Sequence, residues 1–504
     1  MKRRHAFLPD PAGLFGLVVF LILSRAAASR SVRDGDTFWH IRFGIDMLQR
    51  GEIIGQDTFS HTAYGYPWHA HEWLSEVIMA VCYRFAGLTG VTLMYFTVVG
   101  LTFTLLYQTA RRYAGDGPTI ISLAIALPFA LTHLLARPHI FTWLGSALTL
   151  HLLHRGGPRL WLLVPCYSLW ANLHGGVLFG LVIQAIFIVG KVIDGFENHK
   201  ISSSPQAWWC EHRLLFFVFG SCLVACFLNP FGYHLFTFPF KVASPLFIQE
   251  IGEWRAPNLQ EMWYARALII LVVLMAISLG KTLAKWWWLM IAFLLWEALG
   301  HVRHLSLATL LMTPCLALFF ERMFTRFRRS RRPTADDLVL SPWTGPLLIL
   351  VLFASLMGIG QYGGVEIREK IQQHVQLPED FSQPVIDFLK NGYPGERLLN
   401  EYAWGDYLLF FFEAPPKIFI DGRADMYGEE IFSDYLKITR LNKGTDELLE
   451  KYRIDWVLFP KDHILLRYLT ECKGWQQVYS DEKIGILVKK KSGATRVSQN
   501  EEAS

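Results

Sequence analysis

The chain has few charged residues and few cysteines, and it lacks the short motifs by which soluble proteins often hold a metal. Only 18% of its 504 residues are charged, which is below the share in typical soluble domains. Its 7 cysteines are scattered, with no CxxC pair and no Cys/His spacing of a zinc site. Five of them lie in or beside apolar segments, which favours buried thiols over a metal site. The sequence contains no clear internal repeat, so a repeat architecture is not expected.

Apolar side chains, in contrast, are abundant. Hydrophobic residues make up 52% of the sequence and aromatic residues 14%, with a mean hydropathy of +0.27. Over this length, such a composition is typical of a multi-pass membrane protein. The formal net charge is +5, but the basic residues stand in short clusters between apolar runs, as the positive-inside rule predicts. Nucleic acid is therefore excluded as a partner.

The apolar runs and the basic clusters together predict a topology. About eleven runs are candidates for transmembrane helices, the first at residues 14–23 and the last at residues 342–360. The inward ends carry Arg or Lys, and the strongest basic cluster is at residues 322–332. We therefore expect a multi-pass protein of the cell membrane, inner or plasma, with a cytoplasmic N-terminus. The first run also resembles a cleavable secretory signal, but the many later runs favour a retained signal-anchor.

The composition changes after residue 360. Charged residues become frequent and apolar runs shrink to strand length, which predicts a small extracytoplasmic α/β domain at residues 361–490. The predicted fold class is thus an α-helical multi-pass membrane domain at residues 1–360, with a first outer loop at residues 29–90, followed by this α/β domain. A polar tail at residues 491–504 is predicted to be disordered. Within the α/β domain we expect a helix at residues 384–391 and strands at residues 417–420, 456–459, 476–479 and 484–488.

Two aspartates, Asp34 and Asp36, stand just beyond the first apolar run. Carboxylates at the water-facing lip of a membrane span can bind a cation or take a proton while a lipid-linked substrate stays in the bilayer. After them, Trp39, Phe43 and Met47 recur every four residues, which predicts an amphipathic helix along the membrane surface. A second helix is predicted later in the same loop, directly before the next apolar run.

At these residues the chain resembles the GT-C glycosyltransferase superfamily, which includes protein O-mannosyltransferases, lipid A aminoarabinose transferases and oligosaccharyltransferase catalytic subunits. The resemblance rests on the acidic pair, on Met47-Leu48 and Gly51 at the family's distance from Asp36, and on the second loop helix. It implies a membrane enzyme that transfers a hexosyl or pentosyl group from a polyprenyl-phosphate donor to a lipid, glycan or protein acceptor. The transfer would take place at the non-cytoplasmic face, in contact with membrane lipid. The sugar and the stereochemistry stay open.

The resemblance also implies roles for the acidic pair. Asp36 takes the position of the family's catalytic acidic residue, with Asp34 as a second carboxylate. Asp36 would act as a general base toward an acceptor hydroxyl or amine, or as a metal ligand at the phosphate. Whether a divalent cation is used as a cofactor stays open, with Asp34 and Asp36 as its ligands. An alternative interpretation is that Asp36 caps the helix that follows it.

Other polar residues fall on outer turns of the predicted topology. Because isolated polar groups are costly near lipid, we expect such residues to line a cavity, although helix capping and turn chemistry are the alternative. Arg137 stands where some relatives place a second acidic motif, and a guanidinium would suit the carrier phosphate. His69, His71 and Glu72 form an HxHE string, which is a weak cation motif by itself. The candidates for binding the donor phosphate or substrate are Arg137, His139, His71, Glu72, Glu253, Arg303 and His304.

The predicted α/β domain holds a second group of candidates. Asp421, Arg423 and Asp425 follow a predicted strand, where α/β domains often place ligands, and they are candidates for acceptor contact. The alternative is a structural Asp-Arg turn network. The string at residues 400–407 is similar to the WWDY acceptor motif of oligosaccharyltransferases, but Gly405 replaces the second tryptophan. Acceptor binding is therefore not assigned to that string.

Two other classes of function stay open. A multi-pass transporter or flippase would also need many spans and polar residues within the membrane, although it would not need two loop helices behind an acidic pair. The protein could also be a non-catalytic membrane assembly factor for envelope polysaccharide, whose function would not depend on Asp36.

Overall fold

The chain forms two compact units that are mostly helical. The computed structural model describes residues 4–242, 244–325, 338–362, 381 and 383–490. Unit 1 comprises Met1–Ile54 and His69–Leu377, and unit 2 comprises Gly55–Trp68 and Pro378–Ser504. Most of the basic cluster at residues 322–332 and the whole polar tail at residues 491–504 lie outside the described residues.

Unit 1 is built from helices, with one short parallel pair of strands, β1 (Arg4–Pro9) and β2 (Leu338–Ser341). Short 3-10 turns lie at Gly157–Leu162, Gly252–Trp254 and Gly280–Thr282. The described α-helices are α1 (Pro11–Ala26), α2 (Ala28–Ser31), α3 (Asp36–Arg50), α4 (Trp73–Ala110), α5 (Asp116–Leu131), α6 (Ile140–Arg155), α7 (Leu163–Leu173), α8 (Val177–Glu197), α9 (Lys200–Ser203), α10 (Pro205–Ala225), α11 (His234–Val242), α12 (Pro245–Glu250), α13 (Trp263–Leu279), α14 (Lys285–Gly300), α15 (His304–Thr325) and α16 (Thr344–Tyr362).

The apolar runs of the sequence form helices, as predicted. Each of the eleven runs lies largely on one helix of unit 1. Among the described residues, 3 helices are long and apolar enough to cross a membrane, namely α4, α8 and α15. Four further apolar helices are shorter, at 10–17 residues each. The helical character of the runs is therefore confirmed, and the number of spans stays a prediction.

The second loop helix and the apolar run behind it form one element, α4. Its helical geometry breaks at Ala86 and Gly87, and Gly87 adopts a φ of 60° that favours glycine. The residues before this break are those predicted as the second loop helix. The loop helix therefore runs directly into the apolar run, with only a glycine hinge between them.

The amphipathic pattern of α3 is present, but its apolar face packs against protein. Trp39, Phe43 and Met47 are at most 7% exposed, and α3 lies against α4. The close approach is possible because Gly44 has no side chain. A Cβ atom at Gly44 would lie 1.9 Å from the backbone carbonyl oxygen of Glu76. The predicted position of this face at the membrane surface is therefore replaced by a helix–helix contact inside unit 1.

Unit 2 contains a four-stranded mixed sheet flanked by helices. Strand β3 (Leu398–Asn400) pairs in parallel with β4 (Trp456–Pro460), and β6 (Ile484–Val488) pairs antiparallel with both β4 and β5 (Gln476–Ser480). The strand order is thus β3-β4-β6-β5. The described helices of unit 2 are Gln383–Lys390, Trp404–Phe411, Ala424–Thr439, Thr445–Lys451 and Ile464–Lys473.

One predicted strand of unit 2 is wrong. Residues 417–420 form no named strand, and Ile418 makes only an isolated bridge to Ser60. The Asn400 side chain takes backbone groups that a strand would use, because its Oδ1 accepts from the Phe419 N–H at 3.0 Å and its Nδ2 donates to Ile420 at 2.8 Å. The strand β3 nearby was not predicted.

The segment Gly55–Trp68 of the predicted first loop belongs to unit 2. Its Asp57 is fully buried and accepts a hydrogen bond at 2.8 Å from Arg423, whose side chain is 1% exposed. Arg423 also pairs with buried Asp421, and Tyr427 donates to Asp421 at 2.9 Å. A buried charge of this kind is stable only when its partners are present. A fragment that contains only residues 365–490 would therefore lack Asp57, one of the two carboxylate partners of Arg423.

Replacing Asp57 tests this buried pairing. We expect Asp57→Ala to destabilise unit 2 by about 3 kcal/mol, because it leaves the Arg423 charge buried with one carboxylate fewer. The matched control is Asp462→Ala, which removes an exposed carboxylate of the same unit. Pulse proteolysis of the full chain in increasing urea would measure the change. Equal urea midpoints for the two variants would contradict a structural role for Asp57.

Candidate active site

Three carboxyl side chains of unit 1 meet around the guanidinium of Arg137. Its Nε donates to Asp34, and its Nη1 lies 3.0 Å from Asp36 Oδ2 and 3.1 Å from Glu253 Oε2. The four side chains are 15–23% exposed, so the cluster is half-buried rather than sealed. One guanidinium thus carries contacts to three carboxylates.

These residues come from three separate parts of unit 1. Asp36 lies in the first turn of α3, and Arg137 lies in the turn between α5 and α6. The two parts are tied together, because the Ala136 N–H donates to the Ser31 carbonyl at 2.8 Å. Glu253 lies in the 3-10 turn Gly252–Trp254 between α12 and α13.

A second arginine supports Glu253 from the turn between α14 and α15. Arg303 Nη1 lies 3.7 Å from Glu253 Oε1, and the Arg303 N–H donates to the Glu253 carbonyl at 3.2 Å. The guanidinium of Arg303 also stacks on the Trp254 ring at 3.4 Å, which is a cation–π geometry. Both arginines are therefore held in place on the same glutamate.

The electrostatics of the cluster separate its carboxylates. Burial raises the pKa of Asp36 to about 8, and Asp34 and Glu253 add to this against the opposing charge of Arg137. Burial would also raise the pKa of Glu253, but Arg137, His133 and Arg303 outweigh it and lower that pKa to about 2. Carboxylates with pKa values pushed apart in one site are the usual arrangement for an acid–base pair. Asp36 is the stronger base of the two.

A second polar cluster surrounds the carboxylate of Glu72 at the start of α4. His40 Nε2 lies 3.5 Å from Glu72 Oε2, while His71 Nε2 and His174 Nε2 lie 3.7 Å and 3.1 Å from Glu72 Oε1. Glu76, one turn further along α4, lies 3.1 Å from His40 Nδ1. The ligand atoms of His40, Glu72 and Glu76 all lie within 4.8 Å of one another.

Each histidine in this cluster is oriented through its other ring nitrogen. His40 Nδ1 faces Glu76 Oε1 at 3.1 Å, and His71 Nδ1 faces the His69 carbonyl at 3.3 Å. His174 Nδ1 accepts from the Gly176 N–H at 2.9 Å, so in neutral His174 the hydrogen is on Nε2 and points at Glu72. Burial lowers the pKa of His40, His71 and His174, and that of His71 to about 4. All three rings are therefore neutral near pH 7.

The start of α4 is anchored where these side chains meet. Trp73 Nε1 donates to Asn172 Oδ1 at 2.8 Å, and Ser75 Oγ donates to the Leu173 carbonyl at 2.5 Å. These bonds join the first turn of α4 to the end of α7, which is followed directly by His174. The arrangement thus brings α3, α4 and the turn after α7 together.

Comparison with known proteins supports the fold. No family model matches the chain, and no curated protein matches it in sequence. The oligosaccharyltransferase of Archaeoglobus fulgidus in its apo form matches with a TM-score of 0.52 and 11% identity, covering 89% of this chain and 68% of that chain. The same enzyme tethered to an acceptor peptide with the NVT sequon matches with a TM-score of 0.53 and 11% identity, covering 92% and 69%. The chain has the GT-C fold.

ArnT from Cupriavidus metallidurans in the apo state matches with a TM-score of 0.49 and 11% identity, covering 94% of this chain and 97% of that chain. The two oligosaccharyltransferase matches confirm, for the fold, the resemblance to the GT-C superfamily seen in the acidic pair and the loop helices.

Five predicted site residues lie together in the acidic cluster: Asp34, Asp36, Arg137, Glu253 and Arg303. Asp36 lies within the first turn of α3, whose N-cap position is Gly35 without a side-chain cap, so the capping alternative does not describe its side chain. His71 and Glu72 lie in the second cluster. His139 Nε2 instead donates to the His133 carbonyl at 3.1 Å, and His304 pairs with Glu297 at 2.8 Å.

The predicted acceptor residues have a different environment. The side chains of Asp421 and Arg423 are 0% and 1% exposed and form an ion pair with each other. This pairing favours a structural Asp-Arg network over acceptor contact for both residues. Asp425 lies in the first turn of the helix Ala424–Thr439. Gly405, which departs from the acceptor motif, has a packing reason, because a Cβ there would lie 2.2 Å from the Ile420 carbonyl oxygen.

Three residues of the second cluster were not predicted as site residues: His40, Glu76 and His174. The sequence does indicate the first two by their spacing from predicted site residues. His40 follows Asp36 by four residues on α3, and Glu76 follows Glu72 by four residues on α4. Residues four apart on a helix share a face. His174 could not be found in this way, since it meets Glu72 across about one hundred residues of sequence through packing of α4 on α7.

Replacing Gly44 tests the contact that holds α3 against α4. We expect Gly44→Ala to lower stability by about 2 kcal/mol, because the new methyl group forces α3 away from the Glu76 backbone. The matched control is Gly117→Ala in α5, where a Cβ meets nothing within 4 Å. Thermal unfolding of the full chain in detergent would measure both. An unchanged melting temperature for Gly44→Ala would show that this contact is dispensable.

Proposed function

We propose that this chain is a membrane glycosyltransferase that transfers a sugar from a polyprenyl-phosphate donor to an acceptor at the non-cytoplasmic face. The observation that supports it is the convergence of Asp34, Asp36, Arg137, Glu253 and Arg303 in a chain with the GT-C fold. Carboxylates and guanidiniums in one half-buried cluster provide both a base and donors for a phosphate.

The proposed reaction is a displacement at the anomeric carbon of the donor sugar. A hydroxyl or amine of the acceptor forms the new bond to that carbon, and the bond from the carbon to the phosphate oxygen breaks. The electron pair of the broken bond leaves with the lipid phosphate, and the proton of the acceptor goes to the Asp36 carboxylate. Because the pKa of Asp36 is about 8, its ionised form is the minor one near pH 7, and it is this form that takes the proton, as a stronger base than an ordinary aspartate.

The charges of the cluster suit this leaving group. Three carboxylates and two guanidiniums leave one net negative charge when all are ionised, and none when Asp36 holds a proton. Transfer of the acceptor proton to Asp36 thus removes repulsion as the phosphate develops its charge. Arg137 and Arg303 then have donors to offer to the phosphate. The proposed mechanism does not require a divalent cation at Asp34 and Asp36, and whether one binds there stays open.

The fold supports the proposed class of donor, and the acceptor is proposed only as a class. One structural neighbour is an oligosaccharyltransferase solved with a tethered acceptor peptide. By analogy of fold, this chain would act on a lipid-linked sugar, with a lipid, glycan or protein acceptor. The transferred group would be a hexosyl or pentosyl residue.

The proposed topology has eleven spans, a cytoplasmic N-terminus and an extracytoplasmic C-terminal domain. Two native cysteines test it, because Cys472 and Cys210 are exposed, the first in unit 2 and the second on α10 in a segment predicted to be cytoplasmic. We expect an impermeant thiol reagent to label Cys472 in intact cells and Cys210 only after permeabilisation. The variants Cys472→Ser and Cys210→Ser identify each signal. Labelling of Cys210 in intact cells would reverse the proposed orientation.

The catalytic role of Asp36 is tested by Asp36→Asn. The amide keeps the size and can still accept from Arg137, so abundance in the membrane should stay normal. It cannot take the acceptor proton, so transfer from a polyprenyl-phosphate sugar should fall by about 100-fold or more. The matched control is Glu52→Gln, which neutralises an exposed carboxylate just after α3.

The measurement is the rate of sugar transfer in membranes, normalised to the amount of the protein. Unchanged transfer by Asp36→Asn at normal abundance would remove Asp36 from the mechanism. It would also favour a non-catalytic assembly factor or a transporter over an enzyme that uses this cluster.

A further inference from the structure

Four basic side chains gather where α4, α6 and α8 end, on the side of unit 1 that the sequence predicts to be cytoplasmic. We call them the inner basic patch, and its members are Arg112, Arg155, Arg159 and Lys191. Arg112 follows the end of α4, Arg155 ends α6, and Lys191 lies in the last two turns of α8. Arg159 lies in the 3-10 turn that follows α6. The three arginines are exposed, and Lys191 is half-buried.

The three arginines lie close together. Arg112 Nη1 donates to the His154 carbonyl at 2.5 Å, so its guanidinium lies against the peptide group that joins His154 to Arg155. Burial lowers the pKa of Arg112, and the charges of Arg155 and Arg159 lower it further. The arginines of the inner basic patch therefore repel one another.

Lys191 joins the inner basic patch through a row of aromatic rings. Its Nζ lies 5.4 Å from the centre of the Phe187 ring, one turn earlier on α8. The centre of the Phe187 ring lies 5.0 Å from that of Trp286. The Trp286 ring lies 5.2 Å from the ring of His154, the residue whose carbonyl Arg112 holds. Tryptophan at the ends of membrane helices is typical of the depth of the lipid headgroups.

Within the described part of the chain, no carboxylate forms an ion pair with the inner basic patch. Two acidic side chains near these helix ends are paired with other cations. Asp116 Oδ1 lies 2.7 Å from Arg111 Nε, and Glu197 Oε1 lies 3.1 Å from Lys285 Nζ. An anion from outside the protein would therefore relieve the repulsion within the patch.

The helices place the inner basic patch at the depth of a membrane surface. Two of the helices that end there, α4 and α8, are long and apolar enough to cross a membrane, so their ends lie near the headgroups. Trp161, two residues after Arg159, is 46% exposed, and Leu162 is 56% exposed. An indole and an apolar side chain beside a guanidinium suit the boundary between headgroups and acyl chains.

We propose that the inner basic patch binds the headgroup of an anionic phospholipid. The lipid phosphate accepts from the guanidiniums, and the net negative charge of the lipid offsets the repulsion among them. A zwitterionic lipid has the same phosphate but no net charge, so the patch favours the anionic one. The site lies at the other ends of α4 and α6 from the Glu72 cluster and Arg137, and it does not depend on the proposed transfer reaction.

The test compares two lipids on the full chain, purified in detergent and freed of native lipid. Native mass spectrometry at increasing dioleoyl phosphatidylglycerol or dioleoyl phosphatidylcholine gives the affinity for each. Wild type should bind phosphatidylglycerol more tightly by about 10-fold or more. The double variant Arg155→Gln, Arg159→Gln should bind phosphatidylglycerol about 25-fold more weakly, at about 5-fold for each lost charge, with phosphatidylcholine unchanged.

Two matched variants separate the charge of the patch from other effects. Arg155→Lys with Arg159→Lys keeps both charges and should keep the preference for phosphatidylglycerol. Lys443→Gln with Lys461→Gln removes two exposed charges of unit 2 and should leave that preference unchanged. Melting temperatures in detergent show that each variant is folded. Free glycerol 3-phosphate at the same concentration should not displace the lipid, because it has no acyl chains to hold it at the patch.

Three outcomes would overturn the site. Equal affinities of wild type for the two lipids would mean that the patch does not read the charge of a headgroup. An unchanged preference in a folded Arg155→Gln, Arg159→Gln variant would place the lipid at another basic stretch. Displacement by glycerol 3-phosphate would indicate a site for soluble phosphates instead of a lipid. Because no arm measures sugar transfer, failure here leaves the proposed enzymatic activity untouched, and the reverse also holds.

Discussion

The arrangement of unit 1 around its acidic cluster depends on the guanidinium of Arg137. Three carboxylates from distant parts of the chain cannot share one half-buried space without a counter-charge, because each repels the others and each loses solvation. Arg137 reaches all three with its fork of donors, and Arg303 holds Glu253 from the other side. A lysine, with a single ammonium point, would not span the same contacts. The position of the Asp36 carboxylate therefore depends on Arg137 as much as on α3.

The two polar clusters are coupled through one face of α3. Asp36, His40 and Gly44 follow one another at intervals of four residues, so the acidic cluster, the Glu72 cluster and the close contact with α4 lie along one side of the same helix. A shift of α3 along α4 would move Asp36 and His40 together. Gly44 is the point on this face at which α3 packs most closely against α4.

The sequence predicts those parts of the molecule whose causes are local. Long apolar runs form helices whatever their partners are, and the acidic pair is recognisable because it directly follows such a run. Pairing between distant segments leaves no periodic signal. Residues 417–420 have the composition of a strand, yet their neighbours are the Asn400 side chain and the distant Ser60. Arg423 is a candidate for acceptor contact because it follows a predicted strand, and nothing in the sequence indicates its partner Asp57, which lies 366 residues away. The predicted topology places Arg137 and Glu253 only on the same side of the membrane. Their direct contact depends on how the helices pack, so the sequence does not predict it.

The two clusters surround their carboxylates with different groups. In the acidic cluster every carboxylate already faces a guanidinium, so a divalent ion entering there must displace contacts to Arg137. Around Glu72 the facing groups are the neutral imidazoles of His40, His71 and His174. On the GT-C fold, this chain thus surrounds the carboxylates next to the proposed base with arginine, and the carboxylate that faces the next turn of α3 with histidine. Fold alone would not distinguish the two, because the distinction lies in which atoms face each carboxylate.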